Sequence, residues 1–298
     1  MHTKSKIDCQ KGIEVSLKEL ISLQNSVRFK KYHKQNKSFK FSGQKLSKIR
    51  GRGMEFDSTR EYYSGDDIRR MAWRVTARSS KPHIKVFTED KEQPLWLALD
   101  LSPSLYFGTK NMFKSVAIIK QAALMGWSHL LKGDKVGSVI ATKNELASHI
   151  PKASQQNFLR ILNDLSQCSK IKYKFTENQL LDSLLFKLRH HVRSGDKVII
   201  FSDFYNFSEK NQKIILYLSQ KATVNIVSIY DPLEAEVPVP YCYTLTDGVK
   251  NISFNMTNKH NRLNYQKQFS LHQDLIKEFC FKNNILLNIF STNSIDFK

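Results

Sequence analysis

Trp96 to Ser104 reads WLALDLSPS: an apolar run that ends in a carboxylate, Asp100, followed by two hydroxyls, Ser102 and Ser104. A short, continuous apolar run predicts a strand buried on both faces. Open α/β sheets bind their ligands beyond the C-terminal ends of such strands. Three hard oxygen donors spaced along one short loop suit Mg²⁺ or Mn²⁺, which complete their shell with water or further oxygens. A plainer reading of the same residues has the two serines capping the next helix while Asp100 holds them. A second apolar run, Val198 to Phe201, also ends in a hydroxyl and a carboxylate, Ser202 and Asp203.

Working outward from these runs, strand and helix patterns alternate, which predicts an α/β fold with a mostly parallel sheet and helices on both faces. Strands are expected at Trp96 to Asp100, Lys135 to Thr142, Val198 to Phe201, Val224 to Tyr230 and Ile285 to Phe290. Lys143–Asn144 can turn the second of these into a short antiparallel partner at Glu145 to Ile150. Helices are expected at Met112 to Leu131, Gln155 to Leu165, Asn178 to Arg193, 208–220 and 259–282, with a hairpin insertion near 241–254 turning at Asp247–Gly248. Ahead of this main domain (95–298) lie an Arg-rich block (55–94) and an N-terminal region (1–54). The latter holds an amphipathic helix with Ile13, Leu17, Leu20, Ile21 and Val27 near helical spacing.

Two resemblances follow from these residues. The order D-x-S-x-S after a strand resembles the metal-ion-dependent adhesion site of von Willebrand factor type A domains. That resemblance implies that Asp203 approaches the same ion from a neighbouring strand. It also implies a Thr ligand from the loop between; Ile150 to Asn157 (IPKASQQN) has no Thr, and Ser154 is the substitute available. The segments GRGMEF, REYYSGDDIRRMAW, TARSSKPHIKVF, LALDLSPS and YDPLEAEVP resemble the bacterial family known as domain of unknown function 58, over roughly residues 45 to 240. The chain departs from that family at Ala72, where Asp is usual, and at Leu105, where Met is usual. The family resemblance implies a type A-like fold and a partner among the MoxR-type AAA+ ATPases, in a chaperone-like or maturation role toward a client protein.

Charge is the other unusual property. The net charge is +20, and from Arg28 to Arg52 there are ten Lys or Arg and no acid, interleaved with Phe29, Tyr32, Phe39 and Phe41. Such an arm, residues 28–52, suits nucleic acid, an acidic protein or an anionic membrane face, or is a solvated extension. Four scattered cysteines and the lack of a signal-like or membrane-length apolar stretch point to a cytoplasmic protein. No G-x-S-x-G elbow or G-x-x-x-x-G-K-[ST] loop occurs, and a haloacid-dehalogenase-type phosphatase needs Asp where Ser102 stands. His190 and His191 project about 100° apart on a helix and do not readily share an ion.

In the Arg-rich block, Arg70, Arg74 and Arg78 fall at i, i+4, i+8, the spacing of one helical face. Arg60, Asp66, Asp67, Arg69 and Arg78 are expected to pair structurally and hold the block against the main domain, over Trp73 as a buried anchor. The expectation is a non-catalytic, metal-assisted protein-interaction module using Mg²⁺ or Mn²⁺. The rivals are a nucleic-acid-binding protein acting through 28–52 and a metal-dependent phosphoesterase.

Overall fold

A computed structural model describes residues 12–33, 54–89, 93–142, 146–170, 180–236, 242–246 and 251–294. Most of the basic arm and the turns at 143–145 and 247–250 lie outside these residues. In chain order the elements begin with α1 (Leu17–His33), β1 (Met54–Glu61), α2 (Trp73–Ser79) and β2 (His83–Glu89). They continue with β3 (Leu95–Asp100), α3 (Lys114–Leu130), β4 (Val136–Ala141), β5 (Leu146–Lys152), α4 (Gln155–Ser169) and α5 (Leu180–His191). Then follow β6 (Lys197–Ser202), α6 (Glu209–Lys221), β7 (Thr223–Tyr230), α7 (Pro232–Ala235), β8 (Cys242–Thr246), β9 (Asn251–Asn255), α8 (Lys259–Lys282) and β10 (Leu286–Ser291). The chain divides into two compact units, residues 37–92 and the remainder.

The larger unit is a mixed α/β domain. Its six-stranded sheet runs in the order β10-β7-β6-β3-β4-β5, parallel throughout except for β5, which pairs antiparallel with β4 at the edge. β3 sits inside the sheet and all six of its residues are buried, as its unbroken apolar run requires. Its side chains alternate between two cores. Leu95, Leu97 and Leu99 join the core beneath α1, α3 and α4, while Trp96 and Ala98 join the core beneath α5, α6 and α8. The first core includes Leu20 and Leu23 of α1, and Trp127 Nε1 donates to Leu20 O at 3.0 Å. At about 25 cal/mol per Å² of apolar surface removed from water, these two cores supply most of the unit's cohesion.

The smaller unit pairs β1 with β2 in antiparallel register from Met54↔Glu89 to Glu61↔His83, with a bulge between Phe56 and Ser58. The connection between the strands carries a single 3-10 turn, Ile68–Arg70, and then α2. The helix expected to place Arg70, Arg74 and Arg78 on one face is interrupted. Met71 bridges to Ile84 and Ala72 N donates to His83 O at 2.8 Å, so the chain is extended between Arg70 and Trp73. Trp73 is not a buried anchor: it is 68% exposed, and the inward position is taken by Ala72.

Candidate functional site

β3 and β6 lie side by side in parallel, so their C-terminal ends deliver Asp100, Ser102, Ser202 and Asp203 to one edge of the sheet. Asp100 is 2% exposed. Its Oδ1 accepts from the Ser102 hydroxyl and from Ser102 N (3.2 Å), and its Oδ2 accepts from Ser202 Oγ at 2.7 Å. Burial, with the Asp203 charge behind it, pushes the Asp100 carboxyl up to about 6, against the pull of the Ser102 and Ser202 hydrogen bonds. Ser102 and Pro103 start a 3-10 turn that brings Ser104 round to hydrogen-bond Asp203.

Asp203 is followed by Phe204, a buried residue in the left-handed region at φ 53°. That conformation is an outlier for an aromatic and costs about 1–3 kcal/mol. It is held by Phe204 N donating to Ser202 Oγ (2.9 Å), and Tyr205 N donates to Asp203 Oδ1 (3.2 Å). The turn therefore fixes Asp203 through a backbone N–H and Asp100 through the Ser202 hydroxyl.

Lys114 carries no local sequence signal. This first residue of α3 is 2% exposed, and its Nζ lies 3.0 Å from Asp203 Oδ2 and 2.7 Å from Glu234 Oε1. Burial alone would raise Asp203, but the Lys114 ammonium, with the Ser104 hydroxyl, holds it below the ordinary carboxylate value. Burial opposes the charge on Lys114, and the two carboxylates override that and raise its pKa. The loop leading into α3 is tight: a Cβ on Gly108 would fall 2.3 Å from Met112 O.

Behind this site Asp231 and Glu234 form a latch. Asp231 accepts from Thr109 Oγ1 (2.5 Å), Thr109 N (3.0 Å), Leu233 N (3.0 Å) and Thr292 Oγ1 (2.9 Å). Glu234 reaches back to Asp231 N (2.8 Å), completing a capping box on α7, while its other oxygen holds Lys114. The DPLE motif was visible in sequence; its partners were not, since Thr109 and Lys114 stand more than a hundred residues away.

Ser154 is not part of the site. Asp100 is level with Ala141, which pairs with Leu146, whereas Lys152 pairs with Val136 at the opposite end of β4. An antiparallel edge strand returns the chain to the other end of the sheet, so at about 3.3 Å per residue Ser154 is roughly 15 Å or more away. There it caps α4, accepting from Asn157 N.

In the Arg-rich block, Arg60 forms a bidentate pair with Asp66 at 2.8 and 2.7 Å. Asp67 instead caps the 3-10 turn by accepting from Arg69 N (3.0 Å). Arg69, Arg74 and Arg78 make no ion pair with another described residue. Among the described residues no three His, Cys, Asp or Glu converge as a metal cluster.

The family model described as "Protein of unknown function DUF58" matches residues 58–274, more than half of the chain. The chain belongs to the DUF58 family. It is 28% identical over 196 residues to uncharacterized proteins of Mycobacterium bovis and Mycobacterium tuberculosis, a match that covers 66% of this chain and 61% of theirs. The DUF58 chain is also similar to two solved structures. One is the conserved hypothetical protein BatB of Bacteroides thetaiotaomicron (TM-score 0.42, 14% identity, 67% of this chain and 90% of that one). The other is an aerotolerance-related membrane protein of Bacteroides fragilis (TM-score 0.39, 14% identity, 67% of this chain and 92% of that one). At such scores the fold is described by its own strand order. Among the described residues no helix is long and apolar enough to cross a membrane.

Proposed function

We propose that this DUF58 protein is a non-catalytic interaction module of the von Willebrand factor type A-like kind, whose site at the ends of β3 and β6 docks a carboxylate of a partner protein with the help of a divalent cation. The observation that carries this reading is the convergence of Asp100, Ser102, Ser104 and Asp203 at one edge of a parallel sheet. Two carboxylates and two hydroxyls are a hard-oxygen set that fits Mg²⁺ or Mn²⁺ and does not suit softer metals. Asp100, Ser102 and Ser104 would hold the ion. Asp203 would support it from behind, because its Oδ2 is already engaged by Lys114. When bound, the ion supplies a fixed positive charge for an incoming carboxylate. The surrounding buried strand ends strengthen that attraction by excluding water.

A MoxR-type AAA+ ATPase, or its client, is the partner class that the family resemblance suggests. Calorimetric titration with Mn²⁺ tests the reading. Heat of binding in the wild type that disappears in Asp100→Ala is the expected outcome, and equal heats in the two proteins would overturn it.

A further inference from the structure

From a separate observation, we infer that the outward face of α2 and the turn before it form a docking surface for an acidic segment of a partner protein. The inner side of α2 is accounted for. Ala72 is buried, Val75 and Thr76 are half-buried, and Thr76 Oγ1 accepts from His83 N at 3.0 Å. The opposite side carries Trp73 and Arg74, with Ala77 and Arg78 one turn further on, all exposed. Trp73 is 68% exposed, and in the preceding turn Tyr63 and Ile68 are 67% and 60% exposed.

Among the described residues of the unit, nothing explains this arrangement as self-stabilising. Arg74 and Arg78 are like charges at i, i+4, which disfavours the helix by a few tenths of a kcal/mol. α2 has no side-chain N-cap and no acid in its first turn, so Arg74 meets the positive end of the helix dipole uncompensated. An exposed Trp among unpaired guanidiniums has the composition of an interface centre, where Trp, Tyr and Arg dominate binding energy. Local rules broken together in one short element are expected where function overrides stability.

The charge pattern selects the occupant. Arg74 and Arg78 offer planar forks that match carboxylates bidentately, and Trp73, on the same side of α2, offers apolar area beside them. A nucleic acid would need many phosphate contacts, roughly six to ten for tight binding. Among the described residues, only Arg69, Arg74 and Arg78 of this segment have guanidiniums that make no ion pair, hydrogen bond or ring contact, and the exposed acid Asp67 stands in the turn beside Arg69. A mixed surface of that kind suits a protein segment carrying acids and an apolar side chain.

The chain contains a reporter for the test. Of its three tryptophans, Trp96 and Trp127 are 3% and 0% exposed, so acrylamide quenching reads Trp73. The full chain is titrated, at physiological salt, with a synthetic peptide of Glu-Glu-Leu repeats, a Lys-Lys-Leu control, single-stranded DNA and phosphatidylglycerol vesicles. Binding by the acidic peptide is expected to cut quenching about two-fold as Trp73 passes from solvent into contact. Arg74→Glu/Arg78→Glu should abolish that protection with an unchanged circular dichroism spectrum, and Asp100→Ala should leave it intact, which separates this surface from the strand-end site. Four results would overturn the inference: Trp73 already protected in the free protein, no protection by the acidic peptide, protection undiminished in the double variant, or protection by DNA or vesicles in preference to the peptide.

Discussion

Lys114 carries its charge at the first residue of α3, where the helix dipole disfavours a cation. It is also nearly removed from water, so its place depends on Asp203 and Glu234. Removing one member of a buried pair leaves the other uncompensated, at about 3–5 kcal/mol. Lys114→Met should therefore lower stability by that order in urea unfolding, and adding Asp203→Asn should recover part of it. Additive losses would show that the two charges do not depend on each other. Asp231 gives a pH dependence. Burial would raise its carboxyl, but the hydrogen bonds from Thr109, Leu233 and Thr292 hold it below the ordinary value. A depressed carboxylate contributes stability that is complete above the unfolded value of about 3.9 and is lost as pH falls through the folded value. Asp231→Asn should thus be less stable than the wild type at neutral pH. The gap in urea midpoint should close on acidification, and a constant gap would contradict the assignment.

At the level of elements, α3 and α4 meet at a close contact. A Cβ on Gly126 would fall 2.3 Å from the Phe158 ring, which is buried and packed edge-on against Trp127 at 4.9 Å between centroids. Gly to Ala within a helix ordinarily stabilises by about 1 kcal/mol. Here overpacking of about 1–3 kcal/mol should win, so Gly126→Ala is expected to lower the melting temperature. A rise would mean that the ring can move aside. Most strands and helices of the larger unit are legible in sequence, because unbroken apolar runs and helical periodicity survive burial. The exceptions have physical causes. The spacing of Arg70, Arg74 and Arg78 is helical, yet β-type pairing of Met71 and Ala72 with β2 outweighs it. β5 pairs antiparallel with β4, and that direction carries Ser154 to the end of the sheet opposite Asp100.

Across the whole molecule, the placement of Asp100, Ser102, Ser104 and Asp203 at the ends of β3 and β6 is legible because these residues follow the two apolar runs directly in sequence. Lys114, Glu234 and Thr109 escape such a reading because their roles arise from contacts across 89 to 122 residues, which no local pattern encodes. Trp73 is misread for a related reason: a large aromatic in a charged segment is compatible with a packed joint and with an exposed anchor alike. The strand-end oxygens are proposed to form a cation site that docks carboxylates. The most direct measurement is an anomalous difference map at the manganese edge, from crystals of the full chain grown with Mn²⁺. A peak bounded by Asp100, Ser102 and Ser104, with Lys114 still paired to Asp203, is the expected result. A well-ordered site with no peak, its Asp100–Ser102 and Asp100–Ser202 hydrogen bonds intact, would contradict it.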